Sequence, residues 1–176
     1  LGDVYKRQWH PFASETAEKM SQDGVRKVAV FATSAWGGYS ACRQYDEDIQ
    51  RMREHLAEQG LPDIEFTKIR QFFDHPKFVA EMAAAVTEVW GQVPEEKKES
   101  TRLLFTAHSV PVAHDNVGGA EGDKNLYSRQ VAEASRLVAA RAGISDYDLV
   151  WQSRSGNPRT PWLEPGIVDP VSYTHL

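Results

Sequence analysis

The sequence predicts an α/β fold built on a mainly parallel sheet, and two observations carry that prediction. Short runs rich in valine, isoleucine and leucine alternate along the chain with longer stretches whose apolar residues recur at helical spacing. Glycine and proline punctuate the joints, so most runs have a defined start and stop.

Trp9 to Gln22 opens on WHPF and continues as an amphipathic helix, with Thr16, Met20 and the alanines spaced for one face. Val25, Val28, Ala29, Val30 and Phe31 then read as a buried strand entered from a glycine turn, and WGGYSACRQ is the loop that follows. A charged helix spans Gln44 to Gln59, stopped by Gly60 and Pro62. DIEFTKI alternates as a strand does. FFDHP makes a turn into an alanine-rich helix that runs to Trp90, and GQVPEEKKES is a charged linker. TRLLFTAHSVP is the next strand, followed by a polar, glycine-rich loop, VAHDNVGGAEGDKN. In LYSRQVAEASRLVAARAG, Leu126, Val131, Ala134, Leu137 and Val138 share one side of a helix that Gly143 caps. DYDLVWQSRSG closes the set as a strand entering a loop.

A chain of 176 residues, 41% hydrophobic and 10% aromatic, can bury a core and is near the size of one domain. Its 25 acidic residues against 20 basic ones, with no lysine- or arginine-rich run, lack the electrostatic footprint of a nucleic-acid binder. No apolar run approaches the ~20 residues of a membrane helix, and no secretory signal opens the chain. The single cysteine, Cys42, rules out an internal disulfide framework and fits a reducing compartment. The expected setting is the cytoplasm, and the expected state a monomer.

LGDVYKRQ and VSYTHL, at the two ends, share no pattern with what they flank, but they share one with each other. DVYKRQ can be written in codons as GATGTGTATAAGAGACAG, whose reverse complement, read from its third base, encodes Val-Ser-Tyr-Thr-His. The ends resemble the two strands of one transposase mosaic end. Residues 1–8 and 171–176 are therefore expected to be non-native, and residues 9–170 an internal stretch of a longer protein.

Ligands in open parallel sheets sit beyond the carboxyl ends of the strands. Three such ends are rich in functional side chains: TSAWGGYSACRQ, AHSVPVAHD and WQSRSGNPRTPWLEP. Gly37 and Gly38 could bring backbone amides to an anion, but no lysine follows in P-loop register and no GxGxxG is present. Nucleotide binding is disfavoured. His108 stands at the mouth of a strand, where an imidazole can act as general base or metal ligand, or be satisfied by backbone. Ser109 is not in a GxSxG elbow, and neighbours along a strand face opposite sides, which disfavours a hydrolase. Taken singly, Cys42 reads as a small hydrophobe, Trp151 and Trp162 as core or cleft aromatics, and His114 through Asp115 to Asp123 as a solvated loop.

Taken together, FTAHSVP, WQSRSG and PWLEP, in that order with one helix between the first two, resemble ferrochelatase. WHPF, TSAWGGYSACRQY, FFDHP and NLYSRQVA look like its actinobacterial branch. The resemblance implies two Rossmann-like lobes with mainly parallel sheets, only partly present here. Residues 9–99 would be the latter part of the first lobe and 100–170 the start of the second.

The family's histidine in its AHS or AHG strand end maps onto His108. Metal insertion needs a neutral nitrogen at the cleft, because two pyrrole N–H protons leave as ferrous iron enters the macrocycle. His108 would take such a proton or hand over the ion, and the two roles compete for one lone pair. AWGGYS and PWLEP suit a flat macrocycle with acidic edges: Trp36 and Tyr39 offer ring faces, and Ser40 or backbone amides would receive carboxylates. In this branch the cysteine at the position of Cys42 is expected to be one ligand of a two-iron two-sulfur cluster, with three more ligands elsewhere. The same branch implies coproporphyrin III as the porphyrin rather than protoporphyrin IX.

The sequence also departs from the family. The second catalytic residue, a glutamate on a later helix, is not in this chain, NPRT lengthens the loop before Pro161, and Gly166 stands where an acid is expected. The 176-residue chain by itself is expected to be inactive. The alternatives on the same fold are a tetrapyrrole-binding carrier that does no chemistry and a chelatase for another metal or tetrapyrrole.

Overall fold

The computed structural model describes residues 10–38, 43–119, 122–157 and 159–168. Helices and strands alternate in the order α1 (Ala13–Gln22), β1 (Lys27–Val30), α2 (Gln44–Glu58), β2 (Glu65–Lys68), α3 (Pro76–Gly91), α4 (Glu95–Lys98), β3 (Leu103–His108), α5 (Val112–Asp115), α6 (Leu126–Ala142) and β4 (Tyr147–Gln152). Both strand pairs are parallel, β1 with β2 and β3 with β4, as the alternating pattern predicts. The elements fall into two compact units.

The first unit contains α1, β1, α2 and β2. Helix α1 starts after Phe12, whose N–H donates to the Glu15 carboxylate at 3.2 Å, so one orphan donor of the first turn is satisfied. Helix α2 stops where Gly60 takes φ +64°, the left-handed conformation that glycine adopts without strain. Ala17, Leu56 and Ile64 are fully buried, and Met20, Val28, Met52, Leu61 and Phe66 pack around them. Burying Leu56 and Ile64 contributes about 1.5–3 kcal/mol each. The Ser21 hydroxyl donates to the Pro62 carbonyl at 2.7 Å and ties the end of α1 to the approach of β2.

Strand β1 differs from expectation in one respect. Val28 faces the core, but Ala29 is exposed and Phe31 is 57% exposed. The described helices pack on the face that carries Val28 and Phe66. With one face covered in this way, burial alternates along the strand instead of running continuously.

The second unit holds the segment around Trp36 and everything from Phe72 onward. Helix α3 begins on Pro76, with the N-cap ring of His75 accepting from the Lys77 amide at 3.2 Å. It packs along α6 through Val79, Ala83 and Val138, and Phe105 of β3 packs against the same cluster. Gly143 caps α6 at φ +73°, as predicted. Arg102 pairs with Asp148 and, at 3.1 Å, with Asp146, which joins the entrances of β3 and β4.

Two segments expected to lack secondary structure contain single helical turns. Within the linker, α4 follows Pro94 with acids in its first turn and lysines in its last, the polarity that a helix dipole favours. Within the glycine-rich loop, α5 follows Pro111 and carries Asp115, which is 2% exposed and not solvated.

Candidate functional site

The site is built around the carboxyl end of β3. Leu103, Phe105 and Ala107 turn inward, while Leu104, Thr106 and His108 line the exposed face, so alternation places the imidazole in the open. His108 is in register with Gln152, and the next amide, that of Ser109, donates to the Gln152 carbonyl at 2.7 Å. In a parallel pair, this pattern turns the N–H and C=O of His108 itself away from β4. The hydroxyl of Tyr127 meets that carbonyl at 2.9 Å. Among the described residues the His108 imidazole makes no hydrogen bond.

Tyr127 lies in the first turn of α6, with its ring tilted against Trp151 at a centroid distance of 5.7 Å. Burial, and then the carboxylate of Asp115, raise the phenol's pKa above its ordinary value. The phenol therefore remains a neutral donor to His108.

The segment around Trp36 meets the first two turns of α6. The Gly37 amide donates to the side-chain oxygen of Gln130, and a Cβ at Gly37 would stand 2.6 Å from Leu126 Cδ2. A side chain at this position would push the end of the Leu126 side chain aside. Gly38, at φ +140°, sits against Tyr127. Trp36 is half-buried and meets Phe78 edge-on at 6.1 Å. The first turn of α6 thus holds the loop of Trp36 and the end of β3 together. Tyr39, Ser40 and Cys42 lie outside the described residues.

A third contribution comes from PWLEP. The Val112 amide donates to Pro161 at 3.0 Å and the Leu163 amide to Val110 at 3.1 Å, while Trp151 exchanges hydrogen bonds with Pro165 and Ile167 at 2.9 and 2.8 Å. The segment is thereby fixed across the ends of both strands. Beneath it Ser109 is 2% exposed, and its hydroxyl donates to the Leu163 carbonyl at 3.1 Å. A hollow of about 250 Å³ opens beside it, lined by Ser109, Trp151, Gln152, Arg154, Leu163 and Glu164 among others.

Of the candidate site residues, the structure describes His108 and Trp36. It adds Tyr127 and Gln130, which sequence reasoning did not single out, and Asp115, which the sequence placed in a solvated loop. NLYSRQVA carried a family signal, but nothing in its periodicity distinguishes a tyrosine that bonds a strand end from one on the helix surface. Among the described residues no group of three or more His, Cys, Asp or Glu side chains is placed to hold a metal ion. No helix among them is long and apolar enough to cross a membrane.

A family model described as ferrochelatase matches residues 3–174. The coproporphyrin III ferrochelatase of Corynebacterium glutamicum is 58% identical over 163 residues, covering 93% of this chain and 44% of the relative. That of Corynebacterium diphtheriae is 56% identical over 176 residues, with 96% and 47% covered. That of Nocardia farcinica is 53% identical over 164 residues, with 93% and 46% covered. The chain spans somewhat less than half the length of these relatives.

Proposed function

The chain belongs to the ferrochelatase family, and from that premise we propose that the complete protein inserts ferrous iron into a porphyrin in haem biosynthesis, with coproporphyrin III as the substrate. The observation that carries this is the state of His108: exposed at a strand end, with its backbone engaged by Tyr127 and its imidazole without a hydrogen bond among the described residues. An imidazole in that state has a lone pair to give. It accepts a pyrrole proton as iron enters the ring, or holds the ferrous ion on its way there. Trp36, with Tyr39 as a second ring, would cover a face of the macrocycle, and Ser40 would receive a propionate. The choice of coproporphyrin III follows the names of the relatives.

Cys42 is proposed as one ligand of a two-iron two-sulfur cluster in the complete protein. It supplies a single thiolate where four ligands are needed, and it is the chain's only cysteine. Cys42 alone does not hold the cluster. A cytoplasmic monomer is the setting proposed; the single cysteine of this stretch fits a reducing compartment.

The test is iron insertion by the complete protein and its His108→Ala variant, with coproporphyrin III and protoporphyrin IX compared. The expected result is faster metallation of coproporphyrin III and a loss of about 10²-fold or more in the variant. Full rate in the variant removes His108 from the chemistry. Porphyrin bound and left metal-free would favour the carrier.

A further inference from the structure

We propose that Tyr127 is a positioning residue for His108, fixing the backbone that aims the imidazole at the porphyrin; this rests on the iron insertion proposed above. His108 is the last residue of β3, and its own N–H and C=O point to the edge that β4 does not pair. A strand end with an unpaired edge can twist about its last residue, and the side chain turns with it. The Tyr127 hydroxyl closes that freedom at 2.9 Å, on the residue that bears the imidazole. On the other edge, the Ser109 amide bonded to Gln152 at 2.7 Å holds the next residue. The carbonyl of His108 is therefore clamped from the side away from β4.

The tyrosine is itself held. Its ring packs on Trp151, which is 5% exposed and hydrogen-bonded on both sides by Pro165 and Ile167. Its Cβ lies against Gly38 of the loop that carries Trp36. One side chain thus links the segment after β1, the end of β3 and the core of β4. Displacement of a reacting group by about 1 Å is enough to cost about 10²-fold in rate, so loss of this clamp falls on turnover more than on binding.

The test uses Tyr127→Phe in the complete protein, alone and combined with His108→Ala. Phenylalanine keeps the ring on Trp151 and removes only the O–H, and thermal unfolding confirms that the variant folds. The expected result is a kcat about 10-fold lower with the porphyrin KM within about twofold, and no further loss when His108 is already alanine. An unchanged kcat overturns the proposal. So does an equal loss in both backgrounds, which would mark a structural effect independent of His108. Full rate in His108→Ala alone overturns the iron-insertion role on which the proposal rests, so the two failures are told apart.

Discussion

The buried carboxylate of Asp115 accepts two hydrogen bonds from one residue, Ser128: from its amide at 3.1 Å and from its hydroxyl at 2.6 Å. Ser128 is the third residue of α6, whose N-cap, Asn125, offers no side-chain cap. The helix is therefore capped from another element, and the negative charge stands where the helix dipole favours it. Since the first turn of α6 carries Tyr127, this cap also steadies the support of His108. Asp115→Ala is expected to destabilise the protein by about 1–3 kcal/mol, because buried donors lose their acceptor. Urea denaturation of the complete protein checks it; a change within about 0.5 kcal/mol would show that water replaces the carboxylate.

Gly37→Ala tests how closely the segment around Trp36 approaches α6. The new methyl would stand 2.6 Å from Leu126 Cδ2 and 3.0 Å from the Gln130 oxygen that accepts the loop amide. Leu126 must move, and the amide bond is disturbed with it. A cost of about 1–3 kcal/mol is expected, together with weaker porphyrin binding, read by thermal unfolding and fluorescence titration. Gly38→Ala adds backbone strain at φ +140° and is expected to be worse.

The sequence made the elements legible because their signals are local. The apolar spacing of α6 and the glycine that caps it at residue 143 both sit within one segment. The strand end at His108 was legible for the same reason. Asp115 was not: its acceptors' role depends on Ser128, thirteen residues away, and the sequence around it looks like a solvated turn. Phe31 shows the opposite error, since a run of apolar residues says nothing about which face of a strand is covered. Tyr127 became visible only when β3 and α6 were in place, because a bond to a backbone carbonyl leaves no mark on residue type.

The phenol of Tyr127 gives the protein a pH dependence at the alkaline end. Burial first, and the Asp115 carboxylate second, hold its folded pKa above the ordinary value of about 10. As pH rises, the unfolded chain loses the proton first. The stabilisation is thus fully present below about pH 10 and is lost as pH climbs through the folded pKa. Unfolding free energy measured from about pH 9 to 11 is expected to fall more steeply for the parent protein than for Tyr127→Phe. Identical slopes would mean that the phenol titrates alike in both states.

Ser109 offers the clearest separation between structure and chemistry at this strand end. It adjoins His108 in sequence, which invites a nucleophile and base, but the two point to opposite sides of β3. Ser109 is 2% exposed, and its proton is engaged by the Leu163 carbonyl at 3.1 Å. A hydroxyl that is buried and already donating to backbone, with its neighbouring imidazole on the far face, cannot attack a substrate. What it does is fasten PWLEP across the ends of the strands. Ser109→Ala is therefore expected to lower stability by about 1 kcal/mol while leaving iron insertion within about twofold of the parent. Parallel measurement of thermal unfolding and turnover checks both. An abolished rate in a folded Ser109→Ala variant would return the serine to the chemistry and require its hydroxyl to face the substrate.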